Sequence, residues 1–233
     1  MEKTTLLMLL CAICLLAALA LTACSTAPAA DTSTPTALPT EVPLQMTATE
    51  PAKSGDGKTL VVYFSVPDNR ENSYVEIGGE RLGNTQYMAY VIQANTGADI
   101  FRIQPRTPYP TDHNELLNVA QQEIRTNARP EIDGTIEGFS AYDTVFVGYP
   151  NWNADLPYIL YTFFETYDFS GKTIVPFNTH GGSGFSGTRE TIAQLEPNAT
   201  LLEGKSISRN RIGGAEAEII EWLDGIGMRK TAE

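Results

Sequence analysis

Three short segments carry the residue types from which a ligand site could be built. The first is Ser65, followed after a polar stretch by Gly83-Asn84-Thr85. Hydroxyls and backbone N–H groups at a helix start bind a phosphate without any Lys or Arg, although Asn84 there equally suits a helix cap. The second is Tyr149-Pro150-Asn151-Trp152-Asn153. Two aromatic rings beside a proline-fixed turn offer a stacking surface for a flat ligand. The third is Thr179-His180-Gly181-Gly182-Ser183-Gly184, where glycines let backbone approach a ring closely and present N–H donors. His180 is the one titratable residue in the two ring-side segments. Two uses stay open for it: a charge set against a negative ring, or a hydrogen bond that organises the loop.

Rival chemistries find less support. The three cysteines are Cys11, Cys14 and Cys24, so residues 58–233 contain no thiolate for catalysis, disulfides or metal binding. His113 and His180 alone argue against a zinc centre. Ser65, Ser183 and His180 raise the question of a hydrolase, yet no Gly-x-Ser-x-Gly elbow follows a strand. No Gly-x-Gly-x-x-Gly dinucleotide fingerprint is present either. The net charge is −12, of which −9 falls on residues 58–233, which argues against nucleic acid as a partner. Chemistry is therefore expected from a bound cofactor.

The elements that must position these segments alternate in type. Thr59–Ser65, Ala98–Gln104, Asp143–Tyr149 and Lys172–Asn178 are apolar, β-branched runs, as strands buried on both faces of a parallel sheet should be. Ala199–Glu203 supplies a short fifth strand. Helices are expected over Gln86–Asn95 with Gly97 as its stop, from the capping-box spacing at Asp112–Glu115 to about Asn127, from Asp155 through Glu165, over Ser186–Leu195, and over Ala215–Gly225. This alternation implies a doubly wound α/β sandwich with strand order 2-1-3-4-5. In such a sheet the loops after strands one, three and four meet at one crevice, and those are the three segments above.

Ahead of this domain, residues 1–23 have a single early Lys, an apolar run and the ending Leu21-Thr22-Ala23-Cys24. They are expected to be a secretory signal, and the ending resembles a bacterial lipobox, which implies lipid on Cys24. Residues 24–57 are rich in Ser, Thr, Pro and Ala and hold no aromatic residue. They are expected to be a disordered tether that leaves the domain of residues 58–233 outside the cytoplasmic membrane.

Taken together, Tyr63-Phe64-Ser65, Gly83-Asn84-Thr85, Gly148-Tyr149-Pro150-Asn151-Trp152 and Phe177-Asn178-Thr179-His180-Gly181-Gly182-Ser183-Gly184 resemble the flavodoxin superfamily, in its flavodoxin-like FMN-binding group. The resemblance implies non-covalent FMN, with phosphate contact by Ser65, Asn84 and Thr85. It implies ring contact by Tyr149, Pro150, Asn151, Trp152, Thr179, His180, Gly181 and Gly182. It further implies an electron carrier serving redox partner proteins, with an NAD(P)H-dependent oxidoreductase or a flavin-free binding module as alternatives. Two departures stand out. Residues 66–82 form an insert between Ser65 and Gly83 that carries Asp68, Glu71, Glu76 and Glu80 near the phosphate, and Asn153 replaces the second Trp of the pattern. Acidic residues at the site are expected to oppose charge on a reduced ring and so to lower its potential.

Overall fold

β1 (Thr59–Tyr63) has no polar face, and Leu60, Val61, Val62 and Tyr63 are all buried. A strand of this kind needs a partner on each edge and a helix layer on each face. The computed structural model describes residues 59–66 and 73–230, all within one compact unit of the chain. The expected signal, Cys24 and the tether lie outside them, as do Pro67-Asp68-Asn69-Arg70 and Glu71.

The chain continues through β2 (Tyr74–Ile77), β3 (Glu80–Gly83), α1 (Asn84–Thr96), β4 (Asp99–Arg102), β5 (Gln104–Pro105), α2 (His113–Thr126) and β6 (Ile132–Asp133). It then forms β7 (Thr144–Pro150), α3 (Tyr158–Thr166), β8 (Thr173–His180), α4 (Thr188–Leu195), β9 (Thr200–Leu201), β10 (Lys205–Ser208) and α5 (Glu216–Gly225). The central sheet runs β4-β1-β7-β8-β10, with β9 beside the start of β8, and every pairing in it is parallel. This is the expected 2-1-3-4-5 order. α1 and α5 pack together on one face, where the Phe146 and Trp222 rings meet edge to face. The opposite face buries Leu60, Val62, Val145, Val147 and Tyr149 against Ile159, Phe163 and Ile192 of α3 and α4. Among the described residues no helix is long and apolar enough to cross a membrane.

Three local expectations change. The part of the insert described is a β-hairpin, not an irregular loop: β2 and β3 pair antiparallel around Gly78-Gly79, whose φ values of 59° and 85° give a tight two-residue turn. Asp155 does not cap α3, because the fixed φ of Pro157 already sets the entry and Pro157 is the N-cap. The Asp155 carboxylate instead accepts from the Tyr161 hydroxyl at 2.9 Å. The edge strand is broken in two, and its longer part, Lys205–Ser208, lies beyond the expected range. Leu202, Glu203 and Gly204 stand opposite only Val175 and Pro176, a one-residue bulge. Pro176 has no N–H to give to the ladder, so pairing fails there. Gly204 resolves the mismatch with φ 79°, and a Cβ at this position would lie 2.2 Å from the Pro176 carbonyl oxygen.

Gly204→Ala is therefore expected to cost roughly 2–4 kcal/mol, combining left-handed strain with overlap. Gly78→Ala, with nothing within 4 Å, should cost only about 1–2 kcal/mol. Urea unfolding of both variants checks the difference. A second expectation concerns pH. Burial, and then the nearby Asp168 charge, push the Glu196 carboxyl up to about 7. The fold therefore binds this proton more tightly than the unfolded chain does, so its contribution is lost as pH rises from the ordinary carboxylate range through about 7. Glu196→Gln should flatten that part of the stability–pH profile, and an unchanged profile in urea melts between pH 5 and 8 would contradict the assignment.

Candidate functional site

The carboxyl ends of β1, β7, β8 and β10 open into one cavity of about 290 Å³. Its wall is built from Ser65 and Val66 after β1, Pro150 to Asn153 after β7, Thr179 to Gly181 at the end of β8, and Arg209 after β10. Asn84 and Thr85 close it at the first turn of α1. The strands hold their register up to the rim. Phe64 N–H donates to the Gly148 carbonyl at 2.9 Å, Asn151 N–H to Thr179 at 2.8 Å, and Arg209 N–H to His180 at 2.9 Å. The Thr85 and Thr179 hydroxyls meet at 2.9 Å, tying the helix start to the third loop.

Nine of the eleven residues expected at the site line this cavity: Ser65, Asn84, Thr85, Pro150, Asn151, Trp152, Thr179, His180 and Gly181. Two do not. Tyr149 is fully buried, because alternation along β7 sends Val145, Val147 and Tyr149 to the core face. Its hydroxyl donates to Thr188 Oγ1 at 2.9 Å, and Thr188 in turn donates to the Phe185 carbonyl at 2.7 Å. Tyr149 is thus a brace under the glycine loop, not a ring-stacking face. Gly182 does not line the cavity; its N–H is turned back onto His180. A helix-capping role for Asn84 also gives way, since Gly83 is the N-cap and its N–H donates to the Gln86 side chain at 3.2 Å.

The ring-side loops are held by side-chain amides. Asn151 and Asn178 each donate to the Gly184 carbonyl at 3.0 Å, one from β7's loop and one from within β8. Trp152 is set by a tight turn, with paired backbone bonds to Asp155 of 3.1 and 2.9 Å. The central residues of that turn, Asn153 and Ala154, have φ values of 51° and 65°. Asn tolerates this left-handed region better than a bulky aromatic would, which accounts for Asn153. The indole meets Phe64 and Tyr109 edge-on, with centroids 5.4 and 5.3 Å away.

His180 resolves toward loop organisation. Its Nδ1 accepts from Gly182 N–H at 2.9 Å, so that nitrogen carries no proton, and burial holds its pKa below the ordinary histidine value. Of the acidic residues expected from the sequence, Asp68 and Glu71 lie outside the described residues, and the other two are not on the wall. Glu76 and Glu80 are exposed on the hairpin and do not line the cavity, and Glu76 pairs with Arg81 at 3.4 Å. Among the described residues no Asp or Glu lines it, and Arg209 is the one formally charged side chain that does. Sequence reasoning also missed Ser73, and the α2 wall of His113, Leu116, Leu117 and Ala120. The spacing of 113, 116, 117 and 120 on a helix is a one-face pattern that could have signalled it.

These features define a doubly wound α/β protein with a ligand crevice at its switch point. A family model described as Flavodoxin matches residues 78–226, and the chain belongs to that family. The structure is similar to that of a candidate flavoprotein from Bacteroides eggerthii, with 31% identity and a TM-score of 0.58 over 74% of this chain and 99% of that one. A candidate flavoprotein from Bacteroides uniformis matches at 25% identity and TM-score 0.58, over 73% and 99%. A flavoprotein from Lactobacillus acidophilus, solved in complex with FMN, shares the fold at 18% identity and TM-score 0.51, over 66% and 95%. No curated protein matches.

In an NMR pH titration the His180 ring should shift with a midpoint below the ordinary value of about 6.5. Because its folded pKa is depressed, the loop's contribution to stability is complete above that ordinary value and is lost as pH falls through the folded one. A midpoint above 6.5 would contradict the Nδ1 acceptor role.

Proposed function

We propose that the protein binds FMN in this cavity and acts as an electron carrier, held outside the bacterial cytoplasmic membrane by lipid on Cys24 and the tether of residues 24–57. The observation that carries the cofactor reading is the convergence of three loops on one cavity with a helix start at one side and an indole at the other. FMN, when bound, supplies the electron-transfer chemistry. The residues present fit it. Asn84 and Thr85 at the α1 N-terminus, with Ser65, are placed to take its phosphate through hydroxyl and N–H donors. Trp152, Pro150 and the Thr179–Gly181 backbone would border its ring, and the described wall holds no carboxylate to repel an anionic ligand. The Lactobacillus relative's FMN complex supports the same assignment.

Titrating the flavin-free chain with FMN should quench Trp152 emission to saturation. Because Trp222 sits against Phe146 on the opposite face of the sheet, a Trp222→Phe variant should keep that quenching, and Trp152→Phe should lose it. Failure to take up FMN would leave the fold as a flavin-free binding module. Mixing the flavin-loaded chain with NAD(P)H in a stopped-flow instrument should give no rapid bleaching; fast bleaching would assign a reductase instead. For the anchor, Cys24→Ala should move the chain from the membrane fraction to the soluble fraction of expressing bacteria.

A further inference from the structure

Arg209 was invisible as a site residue in the sequence, yet among the described residues it is the one formal charge on the cavity wall. Its backbone N–H bonds the His180 carbonyl at 2.9 Å, which seats it beside the third loop. The guanidinium lies over Gly181: a Cβ built there would sit 3.4 Å from its central carbon and 3.6 Å from both terminal nitrogens. Such equal spacing means that the flat face of the group covers this position. Gly181 leaves open the space that the guanidinium fills.

Among the described residues nothing neutralises this charge: no carboxylate forms an ion pair with Arg209, and its Nε is buried without a hydrogen-bond partner. The neighbouring cations are spent elsewhere, since Lys205 and Arg211 both pair with Glu218. A partly buried guanidinium with no counter-charge among the described residues, facing a cavity whose described wall holds no carboxylate, is a site for negative charge.

We propose that Arg209 holds negative charge on the ring side of the cavity, so that the site grips a flavin ring more tightly once that ring is reduced. This rests on the FMN reading above. Two electrons and one proton convert the neutral oxidised ring into a singly negative one. Arg209 meets that charge only in the reduced form, so its contribution is to reduced over oxidised affinity. The effect runs opposite to the low potential expected from an acidic site.

The test uses the full chain loaded with FMN, titrated with dithionite as the electron source against a reference dye, alongside dissociation constants for oxidised FMN and for riboflavin. Arg209→Gln should lower reduced-over-oxidised affinity about tenfold, a fall of ~30 mV in midpoint for a two-electron couple. Arg209→Lys, which keeps the charge, should recover most of it. An unchanged or higher midpoint in Arg209→Gln with FMN bound would overturn the inference while leaving FMN binding intact. A loss confined to FMN and absent for riboflavin would make Arg209 a phosphate contact and overturn it as well. If the unmodified chain binds no FMN, both readings fall.

Discussion

Parallel pairing of β1 with β4 on one side and β7 on the other is the constraint from which the site follows. A parallel strand can only be reached by a crossover that packs a helix on a sheet face. From β1 the chain leaves through α1 on one face, and from β7 it leaves through α3 on the other. The two exits diverge and leave the carboxyl ends of the strands uncovered between them. Peptide groups there have no further ladder to join, and the loops that satisfy them are free to vary in sequence without disturbing the core.

What gives those loops one shape is a small set of buried polar contacts. Gly184 offers a single carbonyl that receives amides from Asn151 and Asn178, while Tyr149 reaches through Thr188 to the Phe185 carbonyl. Each is a side chain from the sheet holding a loop backbone. In buried surroundings such bonds are costly to leave unmade, which favours a single arrangement. The Thr85–Thr179 contact then fixes α1's first turn to the same frame.

Much of this was legible in the residues. Buried parallel strands announce themselves as unbroken apolar runs, and the strand order followed from their alternation with helices. The three loops were marked by Gly, Asn and aromatic residues with little use in a core. The failures have physical causes too. Tyr149 was assigned to the ligand because proximity in sequence hides the parity of a strand, and only its packing in one cluster with Val145 and Val147 shows which face it takes. Arg209 was missed because the edge strand contains a bulge, so its length and exit point could not be set from composition. The one-face spacing of α2 marks which side of that helix turns inward, but that this side meets the crevice depends on how α2 leans against α3, a tertiary choice. Asp155 looked like a cap, but Pro157 had already decided where the helix begins.

The shared carbonyl of Gly184 has a consequence for how this site can change. Asn151 follows β7 and Asn178 lies within β8, yet neither can be replaced without leaving the other as the one amide on this carbonyl. The segments around 151, 178 and 184 therefore form one structural part. A chimera that takes the third loop from a relative while keeping the second would place an amide where no acceptor waits. Transplanted together, they carry the geometry with them.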